Sequence, residues 1–70
     1  MGKHIVVGFN IMDNEGNCPN YENLTDREKH ELALSDESTI IYDCPNDFFI
    51  DMNMDLVDTE NRFWYLIKIN

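Results

Sequence analysis

From position 48 to 69 the chain reads FFIDMNMDLVDTENRFWYLIKI, and large apolar residues alternate there with polar ones. Phe48, Ile50, Met52, Met54 and Leu56 take every second position, with Asp51, Asn53 and Asp55 between them. A repeat of two marks a strand with one buried face. On a helix the same acids and apolar groups would scatter around the cylinder, so the pattern predicts a strand over 48–56. The run RFWYLIKI that follows is aromatic and β-branched, which suits a pleated sheet, and DTEN between the two runs is made of turn residues. Folding the runs about that turn sets Leu56 opposite Phe63, Met54 opposite Tyr65, Met52 opposite Ile67 and Ile50 opposite Ile69, all on one face. Asp51 then meets Lys68 and Asp55 meets Trp64 on the other. A slip of one residue would reverse every side chain. The expectation is an antiparallel hairpin with Phe63 in the core.

Upstream, KHIVVGFNIM (3–12) is apolar on both sides at its centre and predicts a strand covered on both faces, with Gly8 at a bulge or a close approach. DNEGNCPNYEN packs Asn, Gly and Pro together and reads as a loop. In LTDREKHELALS, Thr25 and Glu28 form a capping box, Asp26 lies in the first turn, and the helix should end near Leu34 or Ser35. Its apolar stripe of Leu24, Leu32, Ala33 and Leu34 is thin, so it must dock on a sheet to hold. STIIYD predicts a short strand over 39–43. CPND, whose Pro45 has no N–H for a ladder, predicts a turn. The fold class that results is α+β: a small β-α-β-β-β domain with a mainly antiparallel sheet, its last three strands a meander, and one short helix on a face. Residues 1–70 make a single small acidic domain. A chain this short buries a modest share of its surface, and oligomerisation is one common remedy.

Charge narrows the function classes. Fourteen acids against five Lys and Arg give a net charge of -9. That opposes binding to a nucleic-acid backbone or an anionic membrane and favours a basic protein partner through electrostatic steering. Between His30 and Arg62 there is no basic residue, while Glu31, Asp36, Glu37, Asp43, Asp47, Asp51, Asp55, Asp58 and Glu60 fall in that interval. No apolar run reaches the length of a membrane helix. The start MGKHIVVGFN lacks a small-residue cleavage site, and Val6-Val7 stands where a myristoylated Gly2 would need a small hydroxyl residue. The expectation is a cytoplasmic protein that begins at Met1.

The candidate chemistry is sparse. Cys18, Cys44, His4 and His30 make a zinc set only if four separate elements each supply one ligand, whereas structural sites pair ligands on tight knuckles. A Cys18–Cys44 disulfide would suit an oxidising compartment, so free thiols are the expectation in the cytoplasm. Asp51, Asn53 and Asp55 match the first positions of a calcium loop, but Leu56 replaces its glycine and Arg62 its final glutamate. DNEG at 13–16 fails in the same way, at Cys18 and Leu24. Gly2, Gly8 and Gly16 fit neither phosphate-binding fingerprint, and no nucleophile motif occurs. His30 in REKHE reads as a solvated helix residue. No catalytic residue, metal or cofactor is expected, and the chain reads as a non-enzyme.

The functional expectation is therefore an acidic binding protein. Its sharpest form is an inhibitor that mimics nucleic-acid charge and occupies a basic groove of a larger, nucleic-acid-binding partner. The contact residues would be Asp47, Asp51, Asp55, Asp58 and Glu60, with Trp64 as the aromatic among them. On a strand, Asp51 and Asp55 would stand about 14 Å apart, a span that overlaps several phosphates of a DNA strand. The alternative is an orphan acidic α+β domain, a homo-oligomeric structural or interaction module whose charge maintains solubility. Neither reading involves direct contact with nucleic acid or with a membrane.

Overall fold

Ile5, Val6, Val7 and Phe9 are consecutive or alternate residues of one strand, and all are buried. Side chains of a strand point alternately to its two faces, so this strand needs cover above and below and a neighbour at each edge. The computed structural model, which describes residues 3–12, 16–17 and 20–69, provides all four. The elements are β1 (Lys3–Asn10), a 3-10 turn (Tyr21–Asn23), α1 (Asp26–Ser35), β2 (Ile40–Tyr42), α2 (Pro45–Asn53) and β3 (Arg62–Ile69). The sheet order is β2-β1-β3, with β1 antiparallel to both neighbours. β3 pairs along the whole of β1, from Lys3 opposite Ile69 to Asn10 opposite Arg62. β2 adds three pairs, Val6 with Tyr42, Val7 with Ile41 and Gly8 with Ile40.

The two faces build two cores. Ile5, Val7 and Phe9 join Tyr21, Ala33 and Ile67 under α1. Tyr21 stacks on Phe9 with ring centres 4.5 Å apart and donates its hydroxyl to the Asn10 carbonyl at 2.9 Å. On the opposite face Val6 packs with Phe48 and Val57, flanked by Tyr42 and Trp64. Each fully buried side chain of this size contributes about 1.5–3 kcal/mol relative to an exposed one.

α1 begins where the sequence places it. Thr25 Oγ1 accepts from the Glu28 N–H at 3.1 Å, and Glu28 Oε1 accepts from the Thr25 N–H at 3.0 Å. Asp26 Oδ2 accepts from the backbone N–H of Lys68 at 2.9 Å, tying the first helical turn to the edge strand β3. Lys29 is buried by its aliphatic stem, while its ammonium donates to the Leu24 carbonyl at 3.1 Å and lies 4.8 Å from the centre of the Tyr65 ring.

The expected β-α-β-β-β order is corrected to β-α-β-α-β. Residues 45–53 are helical, so the hairpin of 48–56 with 62–69 does not form and the last three strands are not a meander. Three local features favour the helix. Pro45 occupies its first turn, where the missing N–H costs nothing. Asp47 lies in the same turn, at the positive end of the helix dipole. The chain then leaves through a hydrogen-bonded C-terminal stop. The long-range reason is equally direct: β3 pairs along the whole of β1, which is buried on both faces, and α2 covers the Val6 side with Phe48. The inward phase shifts accordingly. Val57 is buried and Leu56 exposed, the reverse of the hairpin register, and Phe63 is 41% exposed rather than a core residue.

Candidate functional site

α2 buries one narrow side. Phe48 is 7% exposed and packs against Trp64 and Tyr42, with ring centres 5.1 and 5.6 Å away. At 100° per residue, the apolar residues around Phe48 cannot all share that side. Phe49, Ile50 and Met54 are 53%, 47% and 62% exposed, and Leu56, just beyond the helix, is 65% exposed. Sequence reading turned Phe49 outward but set Ile50, Met54 and Leu56 on the buried face. The signal was present in the scatter that a helix imposes on this segment, which counts against a helix only if every apolar residue must be buried.

The acids named from the sequence lie along this same segment. Asp47 is exposed in the first turn of α2. Asp51 is half-buried, and its Oδ2 accepts from the Tyr42 hydroxyl at 2.8 Å. This bond, with some burial and the nearby negative charge, raises the Tyr42 pKa above its ordinary value. Four residues of helix rise about 6 Å, so neighbouring acids on α2 are much closer along the axis than the strand spacing implied.

Asp55 follows the C-cap residue Met54 and has φ of 59°. The Leu56 N–H donates to the Asp51 carbonyl at 2.9 Å and the Asp55 N–H to the Met52 carbonyl at 3.1 Å. These two bonds are the Schellman stop, whose left-handed position is usually glycine. Asp55 thus carries a side chain where one is disfavoured, and a negative charge at the negative end of the helix dipole.

Asp58 organises the entry into β3. Its Oδ1 accepts from the backbone N–H groups of Glu60 and Asn61, each at 3.0 Å, and its Oδ2 from the Asn61 side-chain amide at 3.3 Å. The Asn61 backbone bond first, and the Asn61 side chain next, hold the Asp58 carboxyl below its ordinary pKa. Its carbonyl accepts from Trp64 Nε1 at 2.7 Å. Glu60 is exposed. Trp64, expected among the contact residues, is half-buried and turned onto Phe48 and Tyr42.

Among the described residues the ion pair found is Arg27 with Glu31 on α1, at 3.5 Å, so Asp47, Asp55 and Glu60 carry no cationic partner there.

The remaining candidates are dispersed. His4 lies on β1, His30 on α1, and Cys44 is a free, exposed thiol at the start of α2. Cys18, with its share in the zinc set and the disulfide, lies outside the described residues, as do Gly2, Asp13 and Glu15. Among the described residues no three of His, Cys, Asp and Glu gather as a metal site. No described helix is long and apolar enough to cross a membrane. Comparison with protein-family models, curated proteins and solved structures found no match to this chain.

Proposed function

We propose that this chain is a non-enzymatic binding protein that docks α2 and the connection to β3 against a basic surface of a larger protein. The observation that carries this reading is the interleaving of exposed Phe49, Ile50, Met54 and Leu56 with the carboxylates Asp47, Asp55 and Glu60. Exposed large apolar residues clustered on one segment are a feature of interaction sites. The apolar residues supply the desolvated contact, and the carboxylates supply orientation and encounter rate. Asp51 and Asp58 act mainly by shaping the surface, through Tyr42 and through the turn into β3. The reading takes the chain as cytoplasmic, where the exposed Cys44 thiol stays reduced. A nucleic-acid-binding groove is one basic surface of the required kind, and occupying it would make the chain an inhibitor.

The test compares capture from native lysate by the immobilised parent, by an Ile50→Gln, Met54→Gln variant and by an Asp47→Asn, Asp55→Asn variant, each at low and high salt. A basic protein retained by the parent should be weakened in both variants, and the carboxylate variant should lose the salt-sensitive part of the binding. Competition by duplex DNA identifies a nucleic-acid-binding groove. Equal retention by all three chains, with unchanged circular dichroism, contradicts the proposal.

A further inference from the structure

The basic residues of the chain are far apart in sequence but not in the fold. Lys3 opens β1, Lys68 and Ile69 end β3, and Arg27 and His30 lie in the first half of α1. Lys3 is paired with Ile69 in the sheet, and the bond from the Lys68 N–H to Asp26 Oδ2 brings the start of α1 to the same end. The result is a cavity of about 730 Å³ lined by Lys3, Arg27, His30, Lys68 and Ile69. Three of the five Lys and Arg residues of a chain with net charge -9 therefore share one cavity.

The carboxylates nearest in sequence are already engaged. Asp26 accepts the Lys68 backbone N–H, and Glu31 pairs with Arg27. Among the described residues the ammonium groups of Lys3 and Lys68 have no carboxylate partner. An anion placed between these two ammonium groups is favoured on that account. The volume falls within the range of small-molecule sites, roughly 300–1,000 Å³, and far exceeds what a bare phosphate fills. His30 and Ile69 are half-buried, while Lys3, Arg27 and Lys68 are exposed.

We infer that this cavity binds a small organic phosphate. The Arg27 guanidinium meets Glu31 through Nε and offers its terminal amino groups to phosphate oxygens, and Lys3 and Lys68 act as point charges beside it. His30 and Ile69 offer a less polar wall to the organic part. The site is built on α1 and the ends of β1 and β3, apart from the proposed docking face on α2.

The experiment is an amide chemical-shift titration of the whole chain with inorganic phosphate, pyrophosphate and adenosine diphosphate, at ionic strength held constant with sodium chloride. Adenosine diphosphate should give saturating shifts centred on Lys3, Arg27, His30, Lys68 and Ile69, and should bind more tightly than pyrophosphate. Lys3→Gln and Lys68→Gln, both exposed and so compatible with the fold, should each weaken binding about tenfold, the value of one charge-assisted contact. Shifts that do not saturate, or that sodium chloride reproduces, overturn the inference. So do undiminished binding in both variants and an affinity for adenosine diphosphate no greater than for pyrophosphate.

Discussion

Gly8 on β1 faces Trp64 on β3, and the indole rests on the glycine. A Cβ added at position 8 would stand 2.5 Å from Trp64 Cζ3. The indole has little room to yield, because Nε1 is bonded to the Asp58 carbonyl and the ring is packed on Phe48 and Tyr42. Gly8→Ala should therefore destabilise the fold by about 1–3 kcal/mol, the usual range for overpacking. The loss should shrink in a Trp64→Leu background, and urea unfolding of the four chains in a double-mutant cycle measures that coupling.

Two phenylalanines separate the observed fold from a hairpin register. Phe48→Ala should cost about 3 kcal/mol or more, as expected for a packed aromatic. Phe63→Ala should cost much less, because the ring is 41% exposed, and Leu56→Ala should change stability by no more than about 0.5 kcal/mol. Equilibrium urea unfolding distinguishes these values, and a Leu56 cost as large as that of Phe48 would restore the hairpin phase.

Asp55 should be better for binding than for stability. Asp55→Gly removes both the left-handed penalty and the charge at the helix C-terminus, and should stabilise the chain by about 1 kcal/mol. The same change should weaken the partner contact. Thermal unfolding paired with a capture assay reads both quantities from one variant.

Acidification should erode stability through three carboxyls. Backbone bonding to Thr25 first lowers the Glu28 pKa, the Ser38 hydroxyl first lowers that of Asp36, and the Asn61 backbone N–H first lowers that of Asp58. A carboxyl with a depressed folded pKa stabilises above its unfolded pKa of about 4, and that contribution is lost as pH falls through the folded value. All three are solvent-exposed in large part, so the decline should be shallow, and Asp58→Asn should flatten it in urea midpoints measured against pH. Tyr42 has the opposite sign. Its pKa is raised, so its contribution is complete below about pH 10 and is lost as pH rises through the folded value. Asp51→Asn should bring the ionisation of Tyr42, followed by tyrosinate absorbance, back toward the ordinary range.

Local signals in this sequence were legible where one interaction dominates. Thr25 and Glu28 announce the start of α1, IVV announces a strand covered on both faces, and the run 62–69 announces β3. The segment 48–56 was not legible from its alternation, because large residues at every second position also fit a helix that leaves some of them exposed. Pro45 and the C-terminal stop add local weight to the helix, and the pairing of β3 with β1, a property of the whole chain, completes the choice. The same limit hid the cavity, since nothing near Lys3 in sequence indicates Arg27 or Lys68. The acids of the proposed docking face were visible as residues, but their spacing was not, and Trp64 rests on Gly8, a contact between positions far apart in the chain.

Self-association provides a further discrimination. Two copies meeting through α2 would set Asp47, Asp55 and Glu60 against themselves, in a chain already at -9. The chain should sediment as a monomer at low ionic strength. A stable dimer under those conditions, abolished by Ile50→Lys, would instead assign the apolar face to a second copy and support a homo-oligomeric module.

The most direct test of the docking face is amide hydrogen exchange of the chain with and without its captured basic partner. Protection should appear across α2 and the connection to β3, from Asp47 to Glu60, while α1 and the paired amides of β1 keep their free-state rates. Protection confined to α1, or exchange unchanged throughout residues 47–60 in a saturated complex, would contradict the account.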